Sequence, residues 1–169
     1  MKNDVKKLAK RIKIVLSDVD GVLTDGGLYY TEKGDVMKKF HVRDGMGVTL
    51  LKRAGIPTII VTKEQTIMVK KWAKNMKVEK LLDGVMKKEL ILENICKMFK
   101  VRPSEIAYIG DDINDVALLK KVGLAAMPND AMEVAKKHCH LICKAKGGNG
   151  VFREVADLIL MSKAKTMVY

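Results

Sequence analysis

The chain has 169 residues, enough for one domain with a substantial core and too few for two domains of ordinary size. Apolar residues make up 48% and charged residues 31%, a profile typical of globular proteins, and no apolar run approaches the ~20 residues of a membrane span. The formal net charge of +12 favours anionic partners, but aromatic residues are only 5% and do not alternate with basic ones, which argues against nucleic-acid binding. The first residues are charged and lack an apolar signal segment, so we expect a cytoplasmic protein without a membrane partner.

Short apolar runs alternate with helical patterns along the chain. The first run, Ile12 to Leu16, is rich in branched residues, as expected of a strand buried on both faces of a parallel sheet. Further strands are predicted over residues 58–61, 80–82, 103–109, 123–126 and 140–142, and helices over about 44–53, 64–76, 86–99, 113–121, 130–136 and 151–160. This alternation predicts an α/β fold with a doubly wound, mainly parallel sheet.

Three segments fall outside this alternation. Residues 1–11 are interpreted as a basic lead-in with at most a helical turn, and residues 162–169 as a frayed tail. Residues 26–40 contain two β-prone runs around Glu32-Lys-Gly-Asp35, which predicts a β-hairpin inserted before the helix for which Asp44 is the expected N-cap. No segment is long enough for a large cap domain, so residues 1–169 are expected to form a single domain.

Polar residues follow three of the predicted strands. Asp18 and Asp20 end the first strand, Thr62 follows the strand over 58–61, and Gly110-Asp-Asp-Ile-Asn-Asp115 follows the strand over 103–109. Open α/β sheets bind ligands beyond the carboxyl ends of their strands, and neighbouring carboxylates repel one another unless a cation lies between them. A surface turn would explain Asp18 and Asp20 alone, but not this convergence. We therefore expect Mg²⁺, which prefers oxygen ligands, at this edge.

The same residues carry a resemblance to a known family. The stretch Asp18-Val-Asp-Gly-Val-Leu-Thr, Thr62, a lysine at position 88 and the stretch from Gly110 to Asp115 resemble the four signature motifs of the haloacid dehalogenase superfamily. The hairpin, Arg43-Asp-Gly-Met-Gly47 and Gly147-Gly-Asn-Gly-Val-Phe-Arg-Glu154 resemble the 3-deoxy-D-manno-octulosonate 8-phosphate phosphatases, whose relatives act on nine-carbon sugar acid 9-phosphates. The resemblance implies a Mg²⁺-dependent phosphatase that hydrolyses a sugar acid phosphate.

The resemblance also implies a role for each motif residue. Asp18 would attack phosphorus and form an aspartyl phosphate, and Asp20 would act first as general acid and then as general base. Thr62 and Lys88 would hold the phosphoryl oxygens. The metal would be held by Asp18, Asp111 and the main-chain carbonyl of Asp20, with support from Asp112, Asn114 and Asp115.

Two positions depart from the family pattern. The family has Asp-Lys where this chain has Lys87-Lys88, and the spacing from the preceding glycine favours Lys88. After the threonine the octulosonate phosphatases have Gly-Arg, whereas this chain has Lys63-Glu64. A glutamate cannot pair with a substrate carboxylate as arginine does, but it accepts hydrogen bonds from hydroxyls. A glutamate here resembles the nine-carbon acid phosphatases, so we predict a preference for the nine-carbon substrate. The alternatives are that Glu64 pairs with a neighbouring cation or is an ordinary acid in the first turn of a helix.

The remaining expectations concern substrate and subunit contacts. The resemblance implies that the substrate is bound by Arg43, Asp44, Gly45, Gly47, Glu64 and Arg153, beneath a closing loop at Gly147 to Gly150. Family members cover their sites by forming tetramers, so a homotetramer is expected, with hairpin contacts from Tyr29, Tyr30, Val36, Met37 and Phe40. The alternatives are a phosphatase for another small phosphomonoester and a non-catalytic module that binds a phosphorylated ligand. The intact acids argue against the second.

Overall fold

The computed structural model describes residues 2–163, and their architecture confirms the predicted α/β class. The strands are β1 (Ile14–Ser17), β2 (Tyr29–Thr31), β3 (Gly34–Met37), β4 (Thr58–Val61), β5 (Lys80–Leu82), β6 (Ile106–Ile109), β7 (Leu124–Met127) and β8 (Leu141–Ile142). The helices are α1 (Lys2–Arg11), α2 (Val42–Arg53), α3 (Ile67–Met76), α4 (Leu92–Phe99), α5 (Val116–Leu119), α6 (Glu133–Lys136) and α7 (Val151–Lys163). Single 3₁₀ turns precede α4, β6 and α5 at Lys88–Ile91, Pro103–Glu105 and Ile113–Asp115. None of the helices within residues 2–163 is long and apolar enough to cross a membrane.

Six of the strands form one parallel sheet in the order β5-β4-β1-β6-β7-β8, and β2 pairs with β3 as a separate antiparallel hairpin. The hairpin lies where it was predicted, and Gly34 has the expected positive φ, of 102°. The central strand β1 lies between β4 and β6. The strands β4 and β5 lie on one side of β1, and β6, β7 and β8 lie on the other. At such a change of direction the carboxyl ends of the neighbouring strands leave a crevice between them, which is where ligands bind in open α/β sheets.

Two apolar clusters cover the two faces of the sheet. Successive residues of a strand point to opposite faces, so Val15 joins the cluster beneath α1, α2 and α7, whereas Ile14 and Leu16 join the cluster beneath α4, α5 and α6. All four residues of β1 are buried. The central strand is thus packed on both faces, and it holds the backbone of Asp18, the next residue, in a fixed position.

The structure corrects several predicted boundaries. Residues 2–11 form a ten-residue helix rather than a lead-in, because Val5, Leu8 and Ala9 supply an apolar stripe that packs on the core. The first strand begins at residue 14, and the segment 103–105 is a 3₁₀ turn. Residues 162 and 163 belong to α7, and the rest of the predicted frayed tail lies outside the described residues. His41 rather than Asp44 caps α2, through a 3.2 Å bond from the Arg43 amide to the His41 Nδ1 atom.

Candidate active site

The carboxyl ends of β1, β4 and β6 line one side of a cavity of ≈ 370 Å³, and the hairpin lines the other. Asp18 follows β1, Thr62 follows β4, and Asp111 lies two residues beyond β6. The lining consists of the sheet-edge residues Asp18, Asp20, Gly21, Gly26, Thr62, Lys63, Glu64, Thr66, Lys88, Asp111, Asp112 and Asn114, and the hairpin residues Leu28, Tyr30, Asp35 and Lys38. The sheet therefore brings together the motifs that are far apart in sequence.

Asp18 and Lys88 form the buried centre of the site. The Asp18 carboxylate accepts a 2.7 Å hydrogen bond from the Val19 amide through Oδ1 and a hydrogen bond from the Lys88 ammonium through Oδ2. Lys88 is 1% exposed, whereas Lys87 is exposed to solvent. Burial by itself lowers the pKa of Lys88, but the charges of Asp18 and Asp115 outweigh that effect and raise the pKa above its ordinary value. Lys88 is thus the lysine that reaches Asp18.

Asp115 organises the base of the site. Its side chain is fully buried, and Oδ1 accepts hydrogen bonds from the Lys88 ammonium at 2.7 Å and from the Tyr108 hydroxyl. Oδ2 accepts hydrogen bonds from the Asp111 and Asp112 amides at 2.8 and 3.3 Å. Both oxygens are therefore engaged within the protein. Through these bonds Asp115, for which a supporting role is predicted, orients Lys88 and the chain that carries Asp111.

Three carboxylates gather closely enough to hold a cation. Oxygen atoms of Asp18, Asp111 and Asp115 all lie within 4.8 Å of one another. Burial, followed by the negative charges of Asp18 and Asp115, raises the pKa of Asp111 to about 8. Burial, followed by the charge of Asp115, raises the pKa of Asp18 to about 7. A divalent cation would keep both groups ionised at neutral pH, and a set of carboxylate oxygens suits Mg²⁺.

The hydrogen bonds indicate which carboxylates are available to that cation. Among the described residues no side chain or amide donates to the Asp111 carboxylate, two donors bond to Asp18, and four donors bond to Asp115. A carboxylate has about four acceptor sites, so Asp111 and Asp18 keep capacity for a cation and are the candidate side-chain ligands. The Asp20 carboxylate is not part of the cluster, and the contribution of its main-chain carbonyl to the metal stays a prediction.

Asp20 is held by a residue that the sequence analysis did not single out. Its Oδ1 atom accepts a 2.6 Å hydrogen bond from the Lys38 ammonium and a 3.2 Å hydrogen bond from the Thr24 hydroxyl. Thr24 belongs to the same loop, but Lys38 follows β3 of the hairpin. No motif or spacing distinguishes Lys38 from the many surface lysines of the chain. Its importance follows from the docking of the hairpin against the sheet edge.

The residues that follow β4 approach the cavity from the other side. Thr62 is buried, and its hydroxyl accepts a 3.2 Å hydrogen bond from the Glu64 amide. Lys63 and Glu64 are exposed and line the cavity. Glu64 precedes α3, whose N-cap is Thr66, so it lies outside the first turn of the helix to which the alternative interpretation assigned it.

The other residues predicted to bind the substrate make contacts within the fold. Arg43, Asp44, Gly45, Gly47 and Arg153 are not part of the cavity lining described above. Asp44 is fully buried and accepts a 2.9 Å hydrogen bond from the Arg153 amide at the start of α7. A Cβ atom at Gly47 would lie 3.1 Å from Arg153 Cα, and one at Gly45 would lie 2.4 Å from Met76 Sδ. These small residues let α2 approach α7 and α3 closely. The Arg153 side chain pairs with Asp157 at 2.7 Å, and Arg43 is exposed.

The glycine loop before α7, for which a closing role is predicted, packs against another loop of the same chain. Gly148 donates a 2.9 Å hydrogen bond to the Val22 carbonyl, and a Cβ atom at Gly147 would lie 2.2 Å from the Gly21 carbonyl oxygen. Gly147 and Gly148 therefore pack against the loop that carries Asp18 and Asp20. In this structure they support that loop and do not cover the cavity.

Comparisons with known proteins agree with this geometry. Residues 62–155 match the model of the haloacid dehalogenase-like hydrolase family. The 3-deoxy-D-manno-octulosonate 8-phosphate phosphatase of Yersinia pestis is 33% identical over 163 residues, which cover 96% of this chain and 87% of that protein. The corresponding phosphatase of Haemophilus influenzae is 33% identical over 95% of this chain and 89% of its own.

Solved structures show the same relationship. The 3-deoxy-D-manno-octulosonate 8-phosphate phosphatase of Moraxella catarrhalis, in complex with magnesium, phosphate and KDO, superposes with a TM-score of 0.93 at 34% identity, covering 96% of this chain and 94% of that one. The Yersinia pestis enzyme gives the same TM-score at 33% identity over 95% of this chain and 87% of its own. The chain thus belongs to the haloacid dehalogenase-like hydrolases and, among them, to the 3-deoxy-D-manno-octulosonate 8-phosphate phosphatase family.

Proposed function

We propose that this protein is a single-domain, Mg²⁺-dependent phosphomonoesterase that hydrolyses a 3-deoxy sugar acid phosphate. The observation that carries the proposal is the buried group of Asp18, Lys88 and Asp111 at the end of the central strand. A module that only binds a phosphorylated ligand would have no need of a nucleophile beside an acid. Phosphoryl transfer requires positioning and charge neutralisation, and this group supplies both.

The reaction has two steps. An Asp18 oxygen attacks phosphorus, the bond from phosphorus to the sugar oxygen breaks, and Asp20 gives its proton to the departing alkoxide. Asp20 then takes a proton from a water molecule that attacks the aspartyl phosphate, which releases phosphate and restores Asp18. Lys88 and Thr62 hold phosphoryl oxygens during both steps. When bound by Asp18 and Asp111, Mg²⁺ neutralises negative charge on the phosphoryl group and keeps the two carboxylates ionised.

The substrate is assigned from the relatives and from the cavity. The curated relatives act on the eight-carbon 3-deoxy-D-manno-octulosonate 8-phosphate, which makes this compound the first candidate. The exposed Glu64 in the cavity lining favours a nine-carbon 9-phosphate as the second candidate, because the carboxylate can accept hydrogen bonds from the additional hydroxyls.

The hairpin supports the proposal of a homotetramer. Tyr30, Val36 and Met37 are 66%, 53% and 49% exposed, an apolar surface that a neighbouring subunit would cover. Phe40 is half-buried, and its ring stacks on Trp72 at 5.0 Å within the same chain. A cytoplasmic location agrees with the three free cysteines, Cys96, Cys139 and Cys143.

The test is phosphate release from eight- and nine-carbon sugar acid phosphates, measured with Mg²⁺ and with a chelator. We expect turnover that requires the metal, and the ratio of kcat/KM between the two sugars decides the substrate. Asp18→Asn should retain the fold and lose turnover. Wild-type turnover in that variant, or full activity in the presence of chelator, would contradict the proposed mechanism.

A further inference from the structure

The Lys38 ammonium is a buried charge that the mechanism above does not use. Its side chain is 1% exposed, and its Nζ atom lies 2.6 Å from Asp20 Oδ1 and 3.7 Å from Asp35 Oδ2. Lysine is almost never buried to this degree unless it is paired. Glu64, across the cavity, adds to the negative charge that acts on Lys38. This ammonium is therefore enclosed by carboxylates of its own chain.

The contacts of Lys38 decide how the Asp20 carboxylate is oriented. Both hydrogen bonds to this carboxylate, from Lys38 and from the Thr24 hydroxyl, end on Oδ1. Among the described residues none donates to Oδ2, which remains available for a proton. Two donors on one oxygen restrict rotation of the carboxylate, and the shorter bond is the one to the charged ammonium. The hairpin thus supplies the stronger of the two contacts that hold Asp20.

An alternative role for Lys38 would be to bind an anionic group of the substrate. The structure argues against it, because the Lys38 side chain, although part of the cavity wall, is only 1% exposed and its ammonium already has two carboxylate partners. Lys63, in contrast, is exposed in the cavity lining and has a free approach to a ligand. Burial, pairing and distance all favour a contact that acts through Asp20.

We propose that Lys38 is a positioning residue, which extends from the β2–β3 hairpin to hold Asp20 with one oxygen free for proton transfer to the leaving group. The inference rests on the proposed function, in which Asp20 is the general acid. It makes the hairpin part of the catalytic apparatus of the same subunit, in addition to any contact it makes with a neighbour.

The leaving group provides a selective test. A sugar alkoxide is a strong base and needs a proton to depart, whereas p-nitrophenolate is a weak base and departs without one. Loss of a correctly placed general acid therefore lowers kcat/KM for a sugar phosphate far more than for p-nitrophenyl phosphate. Removal of a positive charge near the cavity would weaken the binding of both phosphate esters alike. The ratio of kcat/KM for the sugar phosphate to kcat/KM for p-nitrophenyl phosphate therefore cancels that effect.

The experiment measures this ratio in Lys38→Met, with Lys39→Met as the matched control. Lys39 is the next residue of the hairpin and forms a 3.0 Å pair with Asp25, but it does not contact Asp20. Displacing a catalytic group by about 1 Å costs about a hundredfold, so we expect Lys38→Met to lose about a hundredfold on 3-deoxy-D-manno-octulosonate 8-phosphate and less than about threefold on p-nitrophenyl phosphate. The Lys39→Met variant should keep the wild-type ratio.

Two further variants separate the possible failures. Lys38→Gln retains a donor in the pocket but not the reach or charge of lysine, and it gives the same readout if Lys38→Met proves unstable. Asp20→Asn reports on the general acid itself. If Asp20→Asn does not change the ratio, the proposed function is wrong. If Asp20→Asn lowers the ratio but folded Lys38→Met and Lys38→Gln keep it at the wild-type value, or lose activity equally on both esters, the positioning role of Lys38 is overturned.

Discussion

Addition of a single carbon at Gly21 should lower the affinity for the metal strongly while it lowers the stability of the fold only modestly. Gly21 follows Asp20 and has a φ of +76°, a conformation that glycine adopts easily and other residues rarely do. A Cβ atom at this position would lie 2.0 Å from Asp111 Oδ2 and 2.5 Å from Asp111 Cγ. The substitution Gly21→Ala therefore combines backbone strain with a collision at a candidate metal ligand.

The two effects have different magnitudes. The left-handed conformation costs a residue with a Cβ about 1 to 2 kcal/mol, which lowers Tm by about 2 to 8 °C in a chain of this size. The collision adds little to that cost, because the Asp111 carboxylate is the end of a side chain and can move aside. To reach ordinary contact at about 3.5 Å, however, it must move by about 1.5 Å. Mg²⁺ demands ligand distances near 2.1 Å, so this movement should lower its affinity by about 10- to 100-fold.

The matched control is Gly55→Ala, at a glycine with a φ of +72° and no atom within 4 Å of the added carbon. Both variants should lose similar stability in thermal unfolding with chelator present. Only Gly21→Ala should then require higher Mg²⁺ for half-maximal phosphate release, and it should gain less Tm from added Mg²⁺. Equal Mg²⁺ requirements in the two variants would refute the assignment of Asp111 as a metal ligand.

Three further substitutions test other parts of the structure. Lys88→Met leaves the buried Asp18 carboxylate without its cation and should cost about 3 to 5 kcal/mol in urea unfolding, together with nearly all turnover; a stable, active variant would contradict the pairing. Glu105 accepts a hydrogen bond from Lys13, the main reason that its pKa falls from 4.5 to about 2, so the pair stabilises the fold above pH 4.5 and the effect is lost as the pH falls toward 2. The stability difference between wild type and Glu105→Gln should accordingly shrink as unfolding is measured at decreasing pH, and a constant difference would argue against this pair. Phe152→Ala removes a fully buried ring between α7 and α2 and should cost about 3 to 5 kcal/mol in the same assay, whereas a loss below about 1 kcal/mol would contradict its place in the core.

The sheet and the motif residues could be predicted because each depends on a local pattern. The strands over 58–61 and 80–82 are short apolar runs, and they appear in the structure with the predicted bounds. Parallel strands end at one edge of a sheet, so residues directly after them converge whatever their separation in sequence. Lys88 was predicted differently, from the family resemblance and its spacing from Gly84, and the 3₁₀ turn that begins at this residue directs it toward Asp18.

The errors arise where long-range packing decides the outcome. Asp44 resembles a helix cap locally, but it is buried by α7, more than one hundred residues later in the chain. The abundance of lysine in residues 2–11 conceals the apolar stripe of α1, which is stabilised by contact with the core. Lys38 acquires its role only through the docking of the hairpin. In each case the deciding contact lies far away in sequence, where no periodicity or spacing can reveal it.

The glycine loop, Gly147 to Gly150, packs against the loop that carries Asp18 and Asp20, and this contact limits how far the chain could be shortened. Every signature motif is complete by Asp115, so a fragment that ended there would still contain each side chain with a proposed catalytic role. It would lack Gly148, whose amide bonds to the Val22 carbonyl, and α7, which binds Asp44. The loop that carries Asp18, the proposed nucleophile, would then lose these contacts. The residues after Asp115, about a third of the chain, contain no signature motif, yet they supply contacts that hold the loop carrying Asp18 and Asp20.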